Sequence, residues 1–340
     1  MKCRQFSIMR ALFPGALLFA VVLHAMDPVL EITQPKHKAV VHDEALVTVV
    51  VAPQHEGVHS VMMTSDTNET VTFNIKSTQS HYCHTFTLHL GENNISIFAL
   101  RDGNVMKALT RQIFVTSKVD KAYRYAPKQY QRSFFHTDAQ EKVCSKCHNM
   151  SVNETPGVAF EDVSKSNCFA CHVKINFKKY AHAPSVNWLC TRCHSGKAGD
   201  FNEDDVNRTK FLVPDPIGPV CLKCHEKKKK LWKNKRYHHE PADSGRCNKC
   251  HNPHASNNFN YLRKPVWELC TGCHKDKVDG AHVVKTFGRT MHPTHKVKDP
   301  SRKDNRELNC VSCHNPHVSN APFMLQSDSL MSLCSRCHKK

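Results

Sequence analysis

The chain has 340 residues, which predicts one to three domains, and only two of its 18 cysteines, Cys3 and Cys83, precede residue 144. Its formal net charge of +18 at pH 7 would suit nucleic-acid binding, but the aromatic side chains that such sites interleave with basic residues are missing. Composition therefore argues against a nucleic-acid partner and divides the chain into a cysteine-poor front and a cysteine-rich back.

Residues 1–25 have the plan of a secretory signal peptide, with a basic start followed by an apolar run over residues 11–23. The run is too short to span a bilayer as a helix, and cleavage is expected after Ala25; an uncleaved anchor is the alternative. Cys3 precedes the apolar run, so it does not fit a lipoprotein acceptor. We therefore expect export, most simply to the periplasm, with an outer-membrane-associated or extracellular location as alternatives.

Residues 27–118 alternate between apolar and polar side chains and predict an all-β domain. Turn signals at 66–68, 91–94 and 102–104 separate the strands. Residues 46–51 are nearly all β-branched, as expected of a strand buried in a sandwich. The segment 90–104 resembles the closing hairpin of bacterial immunoglobulin-like modules, which implies an immunoglobulin-like sandwich used for docking or spacing. The expected strands are residues 30–34, 45–52, 58–64, 70–76, 81–90, 94–100 and 106–115.

His81, Cys83, His84 and His89 lie close together in one of these expected strands. They could form a small metal site or lend a ligand to a neighbouring group. Alternation places His84 on the opposite face from the other three, which favours exposed imidazoles and a single thiol instead.

Residues 119–135 are basic and tyrosine-rich and predict a linker to a domain at 136–340. In that domain the pattern Cys-x-x-Cys-His occurs eight times, here numbered motifs 1 to 8 in chain order, and uses 16 of the 18 cysteines. The cysteines are Cys144 and Cys147, Cys168 and Cys171, Cys190 and Cys193, Cys221 and Cys224, Cys247 and Cys250, Cys270 and Cys273, Cys310 and Cys313, and Cys334 and Cys337. The histidines are His148, His172, His194, His225, His251, His274, His314 and His338.

The pattern is the attachment sequence for haem c, in which two thiols bond one haem edge and the histidine binds the iron. A zinc site or a redox dithiol would not require histidine after the second cysteine in all eight motifs. Fewer than about thirty residues per motif leave too little chain for an ordinary apolar core. We expect eight covalent haems to organise short helices and loops with little regular structure, and their propionates to offset the positive charge.

Residues 247–274 and 310–338 are near copies, each with Cys-x-x-Cys-His-Asn-Pro-His-x-Ser-Asn and then Leu-Cys-x-x-Cys-His. This arrangement resembles the doubled-CxxCH multihaem cytochromes, including the decahaem periplasmic cytochromes of metal-respiring bacteria. The resemblance covers residues 136–340, although motifs 1 to 4 lack the second histidine of His-Asn-Pro-His. It implies a multihaem electron carrier, and the supply of nine further histidines for eight motifs suggests that every iron binds a second histidine.

Nine further histidines are available as second, distal ligands for the eight motifs. His136, His182 and His239 each stand seven residues before a motif, and the spacing in small tri- and tetrahaem cytochromes implies that each serves that motif. His254 and His317 would serve motifs 6 and 8. His238, His282, His292 and His295 remain for motifs 2, 4 and 7, and at least one of these four must be a surface imidazole; Met150 or Met291 is an alternative ligand.

An iron with histidine on both sides can only exchange electrons, whereas an open iron can bind substrate. We therefore expect an electron-transfer cytochrome of anaerobic or metal-linked respiration rather than an enzyme. The alternatives are a reductase of nitrite, hydroxylamine or a sulfur oxyanion with one open haem, and a structural subunit. Expected partners are cytochromes and quinol-oxidising or outer-membrane complexes, with membrane association through a complex. The basic stretch 226–236 is a candidate docking patch for an acidic redox partner.

Overall fold

A computed structural model describes residues 30–42, 46–53, 57–194, 210–278, 282 and 291–338. The expected signal peptide lies outside the described residues. In the described part the front is made of strands and the back of short helices, turns and loops, which confirms the predicted fold class.

The front domain is a β-sandwich of immunoglobulin-like build, with sheets in the orders β1-β3-β6 and β5-β4-β7-β8-β2-β9. Strands β1, β3 and β6 pair antiparallel, as do β4, β5, β7 and β8, whereas β2 pairs parallel to both β8 and β9. The strands are β1 (Leu30–Gln34), β2 (Ala39–His42), β3 (Leu46–Pro53), β4 (Ser60–Ser65), β5 (Thr70–Asn74), β6 (Tyr82–Thr87), β7 (Gly91–Arg101), β8 (Asn104–Thr116) and β9 (Gln131–Arg132).

The core of this domain lies between the two sheets, because alternate residues of each strand point inward. Val49 and Val51 of β3 face Val61, Ile97 and Ile113 of the larger sheet, and all five are fully buried. This arrangement accounts for the β-branched run that the sequence shows at 46–51.

Three features of the front domain differ from the sequence prediction. The short strand β2 has no predicted counterpart, and β7 begins at Gly91, where a turn was expected over 91–94. Gly91 has a φ of +91°, so the chain bends there and pairs at once with β8. The segment expected as a linker lies against the sandwich, since Tyr130 packs on Phe114 and β9 pairs with β2.

The back region is built from helices of four to eight residues and two-residue strands. Its helices are α1 (Asp138–Cys144), α2 (Phe169–His172), α3 (Ala183–Val186), α4 (Gly218–Cys224), α5 (Glu226–Lys233), α6 (Glu240–Asp243), α7 (Val266–Thr271), α8 (Cys310–Cys313) and α9 (Leu330–Cys334). Its strands are β10 (Tyr180–Ala181), β11 (Tyr237–His238), β12 (Ala255–Ser256) and β13 (Val318–Ser319).

The sandwich docks on the start of the back region through β6. The Thr85 hydroxyl donates to the Cys171 carbonyl over 3.0 Å, and Lys174 donates to the Thr85 carbonyl over 2.6 Å. Lys174 also forms an ion pair with Glu69 in a partly buried position. These contacts place the front domain beside motifs 1 and 2.

Candidate haem-binding centre

Each motif closes as one tight helical turn. The amide of every motif histidine donates to the carbonyl of the first cysteine of its own motif, over 2.8–3.1 Å in all eight cases. Residues at i, i+3 and i+4 lie on the same side of such a turn. The turn therefore brings both thiols and the imidazole of each motif to one side, as attachment of a single haem edge requires.

Seven of the eight motif histidines face a second imidazole with 5.8–6.3 Å between ring centroids. Two metal–imidazole bonds of about 2 Å each, plus the two ring radii, span roughly this distance. The pairs are His172 with His136, His194 with His254, His225 with His182, His251 with His317, His274 with His239, His314 with His282, and His338 with His292.

Hydrogen bonds fix which ring nitrogen of these histidines is free. The Nδ1 atoms of His194, His251 and His314 donate over 2.6–2.8 Å to the carbonyls of Phe211, Asn260 and Phe323. A carbonyl can only accept, so Nδ1 carries the proton and Nε2 keeps the lone pair that a metal needs. All three acceptor residues have φ between 56° and 64°, a left-handed bend that turns the carbonyl towards the ring. Ring separation and donor set both fit haem iron held between two histidines.

The repeated His-Asn-Pro-His-x-Ser segment now has a structural explanation. In the first copy the Asn252 side chain accepts the amide of His254, and the Pro253 carbonyl accepts the His182 ring over 2.9 Å. The strand β12 that follows pairs with β10, so the His182 amide also donates to the His254 carbonyl. One short ribbon therefore fixes His182 and His254, whose rings face the histidines of motifs 4 and 3.

The second copy repeats this arrangement at β11 and β13. The Asn315 side chain accepts the His317 amide, and the Pro316 carbonyl accepts the His239 ring over 2.9 Å. The His239 amide donates to the His317 carbonyl over 2.9 Å. This ribbon fixes His239 and His317, whose rings face the histidines of motifs 6 and 5.

The structure corrects the pairing that spacing implied for three of the candidate ligands. His136, His182 and His239 were assigned to motifs 1, 3 and 5, but their rings lie against the histidines of motifs 2, 4 and 6. Each of these rings therefore lies against the second motif of a doubled unit and not against the first.

The assignments of His254 and His317 to motifs 6 and 8 are likewise corrected. Their rings lie against His194 of motif 3 and His251 of motif 5, because the ribbons direct them back towards the preceding unit. Burial, reinforced by the neighbouring His251, lowers the pKa of His317 to about 4, and Trp232 stacks on its other side at 4.9 Å.

Of the four remaining histidines, two face a motif histidine and two contact other groups. His282 faces His314 of motif 7, which was one of its predicted options, whereas His292 was predicted at motif 2, 4 or 7 and instead faces His338 of motif 8. His295, also proposed as a ligand, stacks on Trp267 at 4.2 Å instead. His238 bonds to Asp243 and to the Lys235 carbonyl.

Motif 1 differs from the other seven, because among the described residues no second imidazole lies against His148, which is exposed. The distal histidines of motifs 3 and 5 stand three residues after the histidine of the next odd-numbered motif. The position that would serve motif 1 by this rule is 197, and the sequence has lysine there, outside the described residues.

The motifs follow one another in space in chain order. The thiol of Cys168 lies next to that of Cys190, the thiol of Cys221 next to that of Cys247, and the thiol of Cys270 next to that of Cys310. In the alternate junctions the second cysteines interact electrostatically, namely Cys193 with Cys224, Cys250 with Cys273, and Cys313 with Cys337. Cys171 similarly interacts with Cys144. From motif 2 to motif 8, neighbouring motifs therefore approach each other alternately by their first and by their second cysteines, whereas motifs 1 and 2 approach by a first and a second cysteine.

Two glycines, Gly218 and Gly245, allow the main chain to approach closely where motif 4 meets motif 5. Gly218 of motif 4's helix donates its amide to the Gly245 carbonyl over 2.8 Å, just before motif 5. A Cβ at Gly218 would lie 2.7 Å from the Gly245 Cα, so only glycine allows this approach. The sequence reasoning missed this pair, although the Gly-Pro and Ser-Gly dipeptides at these positions are turn signals.

The side chains of His81, Cys83, His84 and His89, in and beside β6, do not come together to form a metal site. His84 bonds to Glu69 over 2.7 Å, whereas His89 bonds to the Leu90 carbonyl and His81 to the Ser80 hydroxyl. Cys83 instead lies near the thiols of motifs 1 and 2, and burial together with Cys171 raises its pKa to about 12. The part of the chain that the structure describes contains no group of three or more metal-binding side chains.

A family described as doubled CXXCH motif matches residues 239–279 and 303–340. The multiheme cytochrome MtrA of Shewanella baltica (strain OS185) is 29% identical over 191 residues, which are 51% of this chain and 52% of the relative. The match therefore spans about half the length of that relative.

Two solved structures match the chain with TM-scores of 0.22. The sulfur carrier protein SoxY from Chlorobium limicola f thiosulfatophilum is 16% identical, with 26% of this chain and 78% of that one covered. The fibronectin(III)-like modules of Clostridium thermocellum CbhA are 18% identical, with 26% and 96% covered. Among the described residues no helix is both long and apolar enough to cross a membrane.

Proposed function

We propose that this chain, a multihaem c-type cytochrome with doubled Cys-x-x-Cys-His motifs, carries eight covalent haems and passes electrons along them in the order of its motifs. Electron transfer follows from its membership of the multihaem cytochromes. The number of haems, their order and the ligand of each iron are the proposal.

The observation that carries the proposal is the single file of motifs. From motif 2 to motif 8, the thiols of neighbouring motifs lie near one another, alternately by their first and by their second cysteines. Between motifs 1 and 2 the pair is mixed, because Cys171 lies near Cys144. Since the thiols are the points of attachment, cofactors bonded there would stand edge to edge in the same order. A chain of closely spaced redox centres is what long-range electron transfer needs.

The histidines would bind the haem irons on both sides. Haem c supplies reversible one-electron chemistry at iron, with a potential set by its axial ligands and their hydrogen bonds. Imidazoles on both sides leave no position for substrate in motifs 2 to 8, which supports a carrier over an enzyme. Carbonyl acceptors hold six of these rings in one orientation, so little rearrangement of those rings would accompany a change of charge.

We place the protein outside the cytoplasm, most simply in the periplasm, in anaerobic or metal-linked respiration. The apolar run at 11–23 and the need to attach haem c after export support this location. The helix α5 is a docking patch for an acidic redox protein, for example a subunit of a quinol-oxidising or outer-membrane complex. Its lysines are exposed, and Trp232 joins the helix to the distal histidine of motif 5.

Motif 1 favours a second candidate function, the reduction of a small nitrogen or sulfur oxyanion at one open iron. Its histidine is exposed and has no facing imidazole among the described residues, and the corresponding ligand position holds Lys197 in the sequence. An iron held by His148 alone would accept such a ligand.

Intact mass and cyanide titration of the oxidised protein test both candidates. The proposal predicts eight haem additions and low-spin iron at motifs 2 to 8 that cyanide leaves unchanged. One equivalent of cyanide, abolished by Cys144→Ala/Cys147→Ala, would favour the reductase. Fewer than eight haem additions, or cyanide binding to several irons, would contradict the proposal that eight haems carry electrons.

A further inference from the structure

A buried carboxylate lies behind the distal histidine of motif 2. The Nδ1 of His136 contacts Glu141 Oε1 over 3.0 Å, and the Glu141 side chain is only 9% exposed. The other carboxylate oxygen accepts from Lys210 Nζ over 2.7 Å, and Lys210 also bonds to Asp138 over 2.7 Å. Helix α1 supplies both acids, with Thr137 as its N-cap.

This contact differs from that of the other ring-paired histidines. Six more of them have a described Nδ1 partner, and in every case the acceptor is a main-chain carbonyl. These six are His182, His194, His239, His251, His292 and His314. Of the seven ring-paired histidines with a described Nδ1 partner, only His136 has a carboxylate there.

A carboxylate acts on an imidazole more strongly than a carbonyl does. Its negative charge draws the Nδ1 proton towards itself and leaves more electron density on Nε2, so the ring becomes a stronger donor. A stronger axial donor stabilises ferric over ferrous iron and lowers the reduction potential. Lys210 holds the carboxylate in place and offsets part of its charge.

We propose that Glu141 is a positioning residue that acts through His136 and gives the haem of motif 2 a lower reduction potential than a carbonyl partner would. The inference rests on the proposed ligation of that haem by His136 and His172, whose rings lie 6.1 Å apart. Motif 2 is where the front domain docks, so this low-potential site would lie next to that contact.

The test is a spectroelectrochemical titration of the complete haem-loaded protein carrying Glu141→Gln. Glutamine keeps a hydrogen-bond acceptor and removes the charge, so one of the eight midpoint potentials should move upward while the others stay. Asp138→Asn is the matched control, because it removes a carboxylate from the same lysine at an 85% exposed position that does not touch His136. It should leave the potentials nearly unchanged.

Lys210→Met tests the direction in which the midpoint potential shifts. It also tests the role of Glu141 if the Glu141→Gln variant does not assemble. Without the ammonium the full charge of Glu141 acts on His136, so the same midpoint should move downward. Equal shifts in Glu141→Gln and Asp138→Asn, or shifts of the same sign in Glu141→Gln and Lys210→Met, would overturn the inference.

His136→Ala separates this inference from the ligation on which it rests. If the ligation is right, one low-spin iron of the oxidised protein becomes high-spin, whatever the result for Glu141. If the low-spin spectrum is unchanged, His136 is not a ligand, and both the assignment and the role of Glu141 fail.

Discussion

Replacing His254 by alanine tests the crossed ligand pairing at one site. His254 stands in the loop after motif 5, yet its ring lies 6.0 Å from that of His194 in motif 3. The ribbon that carries it is held by main-chain bonds, including His182 N to His254 O at 2.8 Å, which alanine preserves. We therefore expect the fold to persist and only the iron of motif 3 to lose its second ligand.

The expected magnitude is one high-spin iron more than in the parent protein. It is measured by electron paramagnetic resonance of the oxidised protein, normalised to haem content, and added imidazole should restore the low-spin state. His238→Ala is the control, since that ring bonds to Asp243 and a carbonyl and should leave the spectrum unchanged.

Removal of individual haems identifies the affected iron. In a background without haem 3 (Cys190→Ala/Cys193→Ala), His254→Ala should produce no further high-spin signal. In a background without haem 6 (Cys270→Ala/Cys273→Ala), it should still produce one. The reverse outcome would refute the crossed pairing and restore the assignment that spacing implied.

Three further changes probe the ligand set, one junction and the domain contact. His292→Ala should create a high-spin iron at motif 8, whereas His295→Ala, which removes a ring stacked on Trp267, should not; resonance spectra of the two variants decide this. Gly218→Ala places a Cβ 2.7 Å from the Gly245 Cα and should lower the free energy of unfolding by about 1–3 kcal/mol, measured as a lower thermal midpoint. Gly272→Ala is the control, because its Cβ would have no contact below 3.4 Å and should leave the midpoint unchanged. Lys174→Met removes the ion pair with Glu69 and should speed proteolytic separation of the domains relative to Lys128→Met, an exposed control.

The ion pair between Glu69 and Lys174 should also make the docking of the front domain depend on pH. Burial raises the pKa of Glu69, but hydrogen bonds from Lys174, the Thr87 amide and His84 outweigh it and hold the pKa below its usual value. A depressed carboxyl pKa contributes stability that is present above the unfolded value and is lost as pH falls through the folded one. The Lys174→Met variant should therefore lose less docking on acidification than the parent; an equal loss would contradict this role.

The fold of the front domain could be predicted because alternation of apolar residues is a local signal. Strand β1 appears at its expected bounds, and the buried run at 46–51 lies at the centre of the core. The short β2 was missed because a parallel strand of four residues shows no alternation, and its pairing with β8 joins residues far apart in sequence.

The motifs could be predicted for the same reason, since the covalent chemistry lies within five consecutive residues. The distal pairing could not, because it depends on contacts between distant segments. The carbonyls that orient His182 and His239 lie 71 and 77 residues away from them. The nine candidate histidines therefore include all seven that face a motif, but the five that were assigned to a single motif face a different one.

The central claim is that electrons travel along one file in motif order, and the most direct measurement is stepwise photoreduction from one end. Met331 is 77% exposed just before motif 8, so Met331→Cys can carry a photosensitiser beside the last haem. With all haems present, a single fast phase should reduce all eight.

Removal of the haem of motif 4 (Cys221→Ala/Cys224→Ala) interrupts the file in the middle. The account predicts that the fast phase then reduces only the four haems of motifs 5 to 8, while those of motifs 1 to 3 follow slowly. A fast phase that still reduces all seven remaining haems would contradict the single file.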